Sequence, residues 1–484
     1  MTLIVPIDRD SSVPLARQVY EFWRAGIVKG RFAGGERVPS TRDAAAALGV
    51  SRGTLEQAYE QLMSEGYFQA VRGSGTFVCR ELPEPLALAA ETSLSARPAN
   101  GVVASTNLAN LVKLSSLGEE LRREAAPAQK RKGYIDFSPT GPDLSLFPLD
   151  LWRRLYVSAL KEIGTDALDY AEYGQGYLPL REEIVKYVSR TRGIAACAEE
   201  IVIVSGSQQG LDICARLFLE RGDEVAFENP GYFGARLVFE ACGARLRPVR
   251  IDEEGLVCGE LGDGARLVYV TPARQFPTGV ALSPRRREKL LEWARTHRAV
   301  IVEDDYDSEY RYSGTPTRAL YGTARDVAVI YCGSFSKVMF PGLRIGYLVV
   351  PQPLIAMFAR AKWLLDRHTP MHQQATLHRF MSEGHLERHV RRMRRTYAQR
   401  REVLMEALER HFAGRVQVLG EAAGTHAYVR LDDPEVAARA ERNKVQLRDA
   451  SRYFMGTARL NEYLLEFSVL SERSIREGIR RLAP

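Results

Sequence analysis

Two periodicities divide the chain. Over LARQVYEFWRAGIVKG the residues Leu15, Val19, Phe22 and Ile27 recur at helical spacing on one face, and shorter helical runs follow. From Gly133 onward the apolar runs IVIVS, EVAFE, RLVYVT, AVIVED, VAVIYC and GYLVV alternate with amphipathic stretches, the rhythm of buried parallel strands separated by helices. Between them, Arg80 to about Lys132 is irregular and then charged, which predicts a linker with a helical piece around Asn107–Glu124. The expected organisation is therefore a compact module at 1–79, a linker at 80–132 and a large α/β domain at 133–484. No repeat of fixed period occurs.

Within the first module, Ser40 with Asp43 three residues on forms a capping-box pattern for a short helix ending near Leu48. Gly49 and Val50 supply a turn, and Ser51 caps a second helix that turns Leu55, Ala58 and Leu62 inward and stops at Gly66. Two short helices on a tight glycine turn are a helix-turn-helix. YFQAVRGSGTFVC then predicts two strands around the turn Arg72–Gly75, a wing. Ser51, Arg52 and Thr54 open the second helix, where such helices touch base edges. Arg42, Arg72 and Gly73 stand where backbone phosphates would be met, fixing register rather than sequence. The stretch Pro14–Val78, through PSTRDAAAALGVSRGTLEQAYEQL and EGYFQAVRGSGTFV, resembles the GntR family of winged-helix regulators, which implies double-stranded operator DNA as a partner.

Bulk composition narrows the class without choosing a function. At 484 residues the chain exceeds one ordinary core, and its 45% hydrophobic and 26% charged content is that of a soluble globular protein. A net charge of +7 is mild for this length and suits nucleic acid or many basic enzymes equally. The six cysteines form no CxxC pair, which argues against a disulfide framework or a metal site and for a reducing compartment. No signal peptide and no long uncharged apolar run appears, so a cytoplasmic protein without membrane contact is expected.

Candidate chemistry gathers in loops that follow the apolar runs. SFSKVMFPGLRIGY places Lys337 just past a buried strand end, beside Ser334, where a partly desolvated amine can attack an aldehyde. Arg344, seven residues on, can fork onto a phosphate. SGSQQGLD sets Gly206, Ser207 and Gln208 at a helix start, suited to the same anion. ENPGY offers Tyr232 as a ring for stacking. In AVIVEDDYDSEY, Asp304 and Tyr306 face one side of an extended run and Asp305 the other. Ligands of open α/β sheets bind at such strand ends.

These segments resemble fold-type-I aminotransferases from about Tyr134 to the end, and the order of the two parts resembles the MocR/GabR regulators. The resemblance implies an α+β winged helix-turn-helix followed by an α/β aminotransferase domain, with a mostly parallel central sheet and a smaller C-terminal α/β domain. It further implies pyridoxal 5'-phosphate as cofactor, with Lys337 as the Schiff-base lysine, Asp304 at the pyridine nitrogen and Tyr306 at the ring hydroxyl. Tyr232 would stack on the ring, and Ser207, Gln208, Ser334 and Arg344 would hold the phosphate. Tyr173, in YAEYGQGY, resembles a tyrosine lent to the partner's site, so a homodimer is implied.

Two departures bear on the ligand. Phe276 stands where many aminotransferases carry asparagine. Leu464, in YLLEFSVLSE, stands where a substrate-carboxylate arginine is usual, and Glu466 where a glycine is. Arg459 is a candidate substitute, and an ordinary α-amino acid is a less secure effector. HLERHVRRMRRTYAQRREVL reads as a solvated arginine-rich helix, with a second, non-specific DNA contact as the sharper alternative. The favoured function is a cofactor-dependent transcription regulator sensing an amine, an amino acid or pyridoxal phosphate. The alternatives are a working aminotransferase with an accessory DNA module, and a regulator whose large domain only dimerises. Residual transamination is chemically possible in the first.

Overall fold

Ser40 Oγ accepts the N–H of Asp43 at 3.1 Å and donates to its carboxylate at 2.7 Å. The aspartate thus meets the serine hydroxyl rather than the N-cap N–H, so half of the predicted box is built. The computed structural model describes residues 7–81, 113–123, 131–138, 141–165, 169–170, 174–314, 317–324 and 326–484, and the chain divides into two units, 1–113 and 114–484.

The first unit runs α1 (Leu15–Val28), β1 (Arg37–Val38), α2 (Thr41–Leu48), α3 (Arg52–Ser64), β2 (Phe68–Val71) and β3 (Gly75–Val78). Gly49 takes the left-handed conformation at φ +62° that ends α2, and Ser51 Oγ caps α3 through the Thr54 N–H at 3.1 Å. The buried face of α1 differs from the predicted one. Tyr20 and Trp23 are buried with Val19 and Ile27, whereas Leu15 and Phe22 are half-buried. Aromatic packing decides this: the Trp23 ring lies 4.4 Å from Phe32 and 5.3 Å from Phe68. The wing is a three-stranded antiparallel sheet, β1-β3-β2. Its outer strand, two residues long, is too short to show an alternation in sequence.

The second unit begins with α4 (Ser116–Arg123), β4 (Ile135–Asp136), α5 (Leu149–Ile163), α6 (Leu178–Arg192), β5 (Ile201–Val204), α7 (Ser207–Phe218), β6 (Glu224–Asn229) and α8 (Phe233–Ala241). Then come β7 (Arg245–Asp252), β8 (Gly255–Leu256), β9 (Ala265–Val270), α9 (Pro284–His297), β10 (Val300–Asp305), β11 (Val329–Ser334), β12 (Gly346–Val349), α10 (Ile355–Asp366), α11 (Met371–Ser382) and α12 (His385–Phe412). The chain closes with β13 (Val416–Leu419), β14 (His426–Leu431), α13 (Val436–Arg442), β15 (Val445–Gln446), β16 (Arg448–Asp449), β17 (Glu462–Glu466) and α14 (Glu472–Leu482). Of the helical piece expected around Asn107–Glu124, α4 is the described part. Residues 113–115 are not helical, and 107–112 and 124 lie outside the described residues.

The central sheet has the order β5-β12-β11-β10-β9-β6-β7-β8, parallel through β11, β10, β9, β6 and β7. GYLVV, read with the parallel runs, is instead β12, antiparallel to both β11 and β5. Residues 335–345, between β11 and β12, hold no crossover helix, and so short a return forces antiparallel pairing. β7 escaped the sequence reading because Arg245, Arg247 and Arg250 interrupt its apolar pattern near the sheet edge. β5, β6, β9, β10 and β11 all end at the same edge, which gathers their following loops.

The smaller C-terminal α/β part is built on an antiparallel sheet, β13-β14-β17-β16. Met393, Leu404 and Phe412 of α12 and Ile475 and Ile479 of α14 cover it, meeting Val429 and Leu465. Within α12, Arg394 donates to the Glu309 carbonyl at 3.0 Å and Arg400 pairs with Asp143 at 2.9 Å, so part of its arginine serves packing. Among the described residues, no helix is long and apolar enough to cross a membrane.

Candidate functional site

The strand ends of the central sheet enclose a cavity of about 470 Å³. β5 delivers Ser207 and Gln208, β6 Tyr232, β9 Phe276, β10 Asp304 and Tyr306, and β11 Ser334 and Lys337, with Arg344 on the return to β12. All of these line the cavity. Gly206 does not, but it shapes the wall: at φ +95° a Cβ there would meet the Arg344 guanidinium at 3.0–3.2 Å. Arg344 is itself fixed by a 2.5 Å bond from Nη2 to the Ser205 carbonyl. Tyr173 lies outside the described residues.

Asp304 is buried, and its Oδ2 accepts the Tyr269 hydroxyl at 2.8 Å. Its Oδ1 is buried with no hydrogen-bond partner, and burial pushes the carboxyl up to about 7. Asp305 points to the opposite side, where it pairs with buried Arg192 at 2.5 Å and accepts the Tyr331 hydroxyl at 2.8 Å. That buried network anchors the end of β10 from below, leaving Asp304 and Tyr306 toward the cavity.

Phe276 is the hub of an aromatic wall. Its ring meets Tyr232, Tyr306 and Tyr453 edge-to-face with centroids 5.7, 5.6 and 5.1 Å apart. The loops behind it are held by Glu228, which accepts the Thr271 hydroxyl at 2.6 Å and the Gln275 amide at 3.2 Å, and whose carboxyl burial raises to about 7.

Several contributors escaped the sequence reading: Tyr269, Tyr453, Arg448 and Arg452 also line the cavity. Tyr269 lay within a run read only as core. The other three sit in the C-terminal sheet region, far from any motif, and only the fold brings them in. Arg459, the candidate substitute for the cation absent at Leu464, lies elsewhere, 3.9 Å from Glu462 beside a different groove. Leu464 is fully buried against Tyr428, Ala450, Tyr453 and Phe454.

In the first unit, Arg42, Ser51, Arg52, Arg72 and Gly73 are exposed and Thr54 is half-buried. Arg52 is 68% exposed and pairs along α3 with Glu56 at 2.8 Å. The Thr54 hydroxyl shares a 2.7 Å hydrogen bond with Ser51 Oγ, so the cap engages both side chains. Gly73 forms the wing turn at φ +79°.

Residues 15–78 match the family model described as bacterial regulatory proteins, gntR family, and residues 157–470 match aminotransferase class I and II. The probable rhizopine catabolism regulatory protein MocR of Rhizobium meliloti is 35% identical over 482 residues, covering 98% of this chain and 94% of that protein. Among solved structures, the kynurenine aminotransferase of Pyrococcus horikoshii superposes with a TM-score of 0.68 at 30% identity, covering 78% of this chain and 95% of that one. The alpha-aminoadipate aminotransferase LysN of Thermus thermophilus, complexed with N-(5'-phosphopyridoxyl)-L-leucine, gives 0.66 at 30% identity, covering 76% and 93%. The second unit thus has the fold of pyridoxal-phosphate-dependent aminotransferases, and the chain belongs to the MocR type of gntR-family transcription regulators, in which a DNA-binding winged helix-turn-helix is joined to an aminotransferase class I and II domain.

Proposed function

We propose that this regulator holds pyridoxal phosphate at Lys337 and uses it to sense a small amine, an amino acid or the cofactor itself, changing its hold on operator DNA. The observation that carries this reading is the convergence of Lys337, Asp304, Tyr306 and Arg344 on one cavity in a chain that also carries the helix-turn-helix.

The residues present fit the group. Asp304 Oδ1 is a buried acceptor in need of a donor, which a protonated pyridine nitrogen provides. Gly206 leaves room beside Arg344, and the first N–H groups of α7 have no acceptor within their own helix, so that end suits a phosphate. Tyr306 receives a hydrogen bond from Arg274 at its oxygen, which frees its own proton for the ring hydroxyl. Ser207, Gln208 and Ser334 complete the phosphate end, and Tyr232 offers the stacking face. When bound, the cofactor supplies an aldehyde that condenses with amines. Apolar packing of Leu464 supports sensing over turnover of α-amino acids, because it leaves no cation at that position.

The reading includes a cytoplasmic homodimer to which Tyr173 contributes across the interface, with residues 80–132 as the connector between the units. Support comes from exposed apolar side chains on α5 and α10, among them Leu149, Val157, Leu160, Trp363 and Leu364, which suit a second copy. On DNA, Arg52, Thr54 and Ser51 would meet base edges, and Arg42, Arg72 and Gly73 the phosphates.

Coupling between ligand and DNA is reciprocal by thermodynamic necessity, and a shift of about 1–3 kcal/mol is ordinary. Operator DNA should therefore change amine affinity by the factor by which the amine changes operator affinity. Both are measurable by titration of the full-length protein, and absence of coupling in both directions removes the sensing role.

A further inference from the structure

Arg274 is a buried cation that stands behind the cavity wall, in the loop after β9, and does not line the cavity. Its Nη1 donates to the Tyr306 phenol oxygen at 2.9 Å and pairs with Asp307 at 3.1 Å, and its Nη2 donates to the His426 carbonyl of β14 at 2.8 Å. Among the described residues its Nε has no hydrogen-bond partner. Taking a guanidinium out of water is costly, and an unpaired N–H adds to that cost. The fold nevertheless makes room for it. Gly424 has φ +73°, and a Cβ there would lie 2.5 Å from both Arg274 Nη1 and Asp307 Oδ2.

What this placement serves is the oxygen of Tyr306. A phenol has one proton to give and an oxygen that can accept. With Arg274 donating to the oxygen, the proton is left for the cavity, which Tyr306 lines. Burial holds the phenol well above its usual range, so it keeps that proton, while the guanidinium pulls the other way and polarises the O–H bond. The Tyr306 ring meets Phe276, which has no donor to offer. Asp307 and Glu228 of β6 are the acidic groups that face Tyr306. Tyr312 and Arg401 of α12 face Arg274, and Lys337 is faced by Asp307, Glu466 of β17 and His426. The cavity adds Asp304, Arg344, Arg448, Arg452 and the phenols of Tyr232, Tyr269 and Tyr453. Among the described residues, Arg274 is the cation in hydrogen-bond contact with the Tyr306 oxygen.

We propose that Arg274 is a positioning residue that acts on the cofactor through Tyr306: it aims the phenol and strengthens its donation to the ring oxygen, so that the Schiff-base nitrogen at Lys337 gives up its proton at lower pH. This rests on the reading of the cavity as the pyridoxal phosphate site. Negative charge on the ring oxygen and a proton on the neighbouring nitrogen hold one another. A stronger donor to the oxygen satisfies that charge in the proton's place, and the proton passes to solvent more readily.

The test follows the visible band of the cofactor-loaded, full-length protein against pH. Arg274→Gln alone strands the buried Asp307 carboxylate, so the informative variant is the pair Arg274→Gln, Asp307→Asn, which removes both charges at nearly unchanged size. Its band should change at a pH about 0.5–1.5 units above the wild-type midpoint, less than the shift a cation causes by direct contact. Tyr306→Phe should also raise the midpoint, and adding the pair to Tyr306→Phe should move it no further, because the route runs through the phenol. Three results overturn the proposal while leaving the cofactor in place. They are an unchanged or lower midpoint in the pair, a comparable further shift in the Tyr306→Phe background, and a wild-type band that is the same at every pH at which the protein stays folded. A wild type with no visible band overturns the cofactor reading as well. If the pair does not fold, Arg274→Lys, which cannot hold Tyr306, Asp307 and the His426 carbonyl together, should raise the midpoint by a smaller amount, and a wild-type midpoint there overturns the proposal.

Discussion

Arg274 donates a 2.9 Å hydrogen bond from Nη1 to the phenol oxygen of Tyr306. The same guanidinium reaches the His426 carbonyl on β14 at 2.8 Å and pairs with Asp307 at 3.1 Å. One buried side chain therefore ties the cavity wall to the C-terminal sheet. Arg274→Ala should destabilise the folded chain by about 3–5 kcal/mol, because it leaves the buried Asp307 carboxylate without its counter-ion. Urea unfolding followed by circular dichroism measures this, and a loss under about 1 kcal/mol would show that the tie is dispensable.

Lys337 gives the most direct check on the cofactor. The purified protein, loaded with pyridoxal phosphate, should be yellow, and borohydride should fix the cofactor covalently. Lys337→Ala should lose the covalent adduct while its melting temperature stays within a few degrees, since a half-buried amine contributes little packing. A wild type that remains colourless with added cofactor would rule out the assignment.

The stability of the cofactor-free protein should depend on pH through Asp304. Burial raises this carboxyl from 3.8 to about 7, so the folded chain holds the proton more tightly than the unfolded chain. Stability is therefore fully present below about 4 and falls as pH rises toward about 7. Glu228 and Glu466, raised to about 7 by burial, add slopes of the same sign. Asp304→Asn cannot ionise and should be more stable than the wild type by about 1–3 kcal/mol at pH ~8, with little difference at pH ~4. The same variant should bind pyridoxal phosphate more weakly. Denaturant midpoints at the two pH values decide the first point, and parallel pH profiles for the two proteins would contradict it.

On the DNA side the two arginines should behave differently. Arg52→Ala should weaken operator binding by about 1–3 kcal/mol and relax sequence preference, as expected for a side chain reading a base edge. Arg72→Ala should weaken binding to all sequences and flatten the salt dependence, as expected for a phosphate contact. Gel shifts over a salt series separate these outcomes, and wild-type behaviour in both variants would displace the interface from this face.

Local sequence decided what depends on short-range rules. Ser40, Gly49 and Ser51 cap and turn the helix-turn-helix through bonds spanning three residues, so their pattern was legible without a fold. The apolar runs marked the central strands, and Lys337, Asp304, Tyr306 and Tyr232 stand directly after such runs, where parallel strands must deliver them to one edge. Tertiary structure decided everything that needs two distant segments. Which face of α1 is buried was settled by Trp23 meeting Phe32 and Phe68, and the direction of β12 by the short return from β11. β7 was hidden because charged residues break its alternation near the sheet edge, and the C-terminal sheet because its strands pair antiparallel across distant segments. Arg448, Arg452 and Arg274 carry no local mark at all. An arginine in sequence is by default a solvated cation, and only the fold gives it a cavity to line, as for Arg448 and Arg452, or a buried carboxylate to neutralise, as for Arg274.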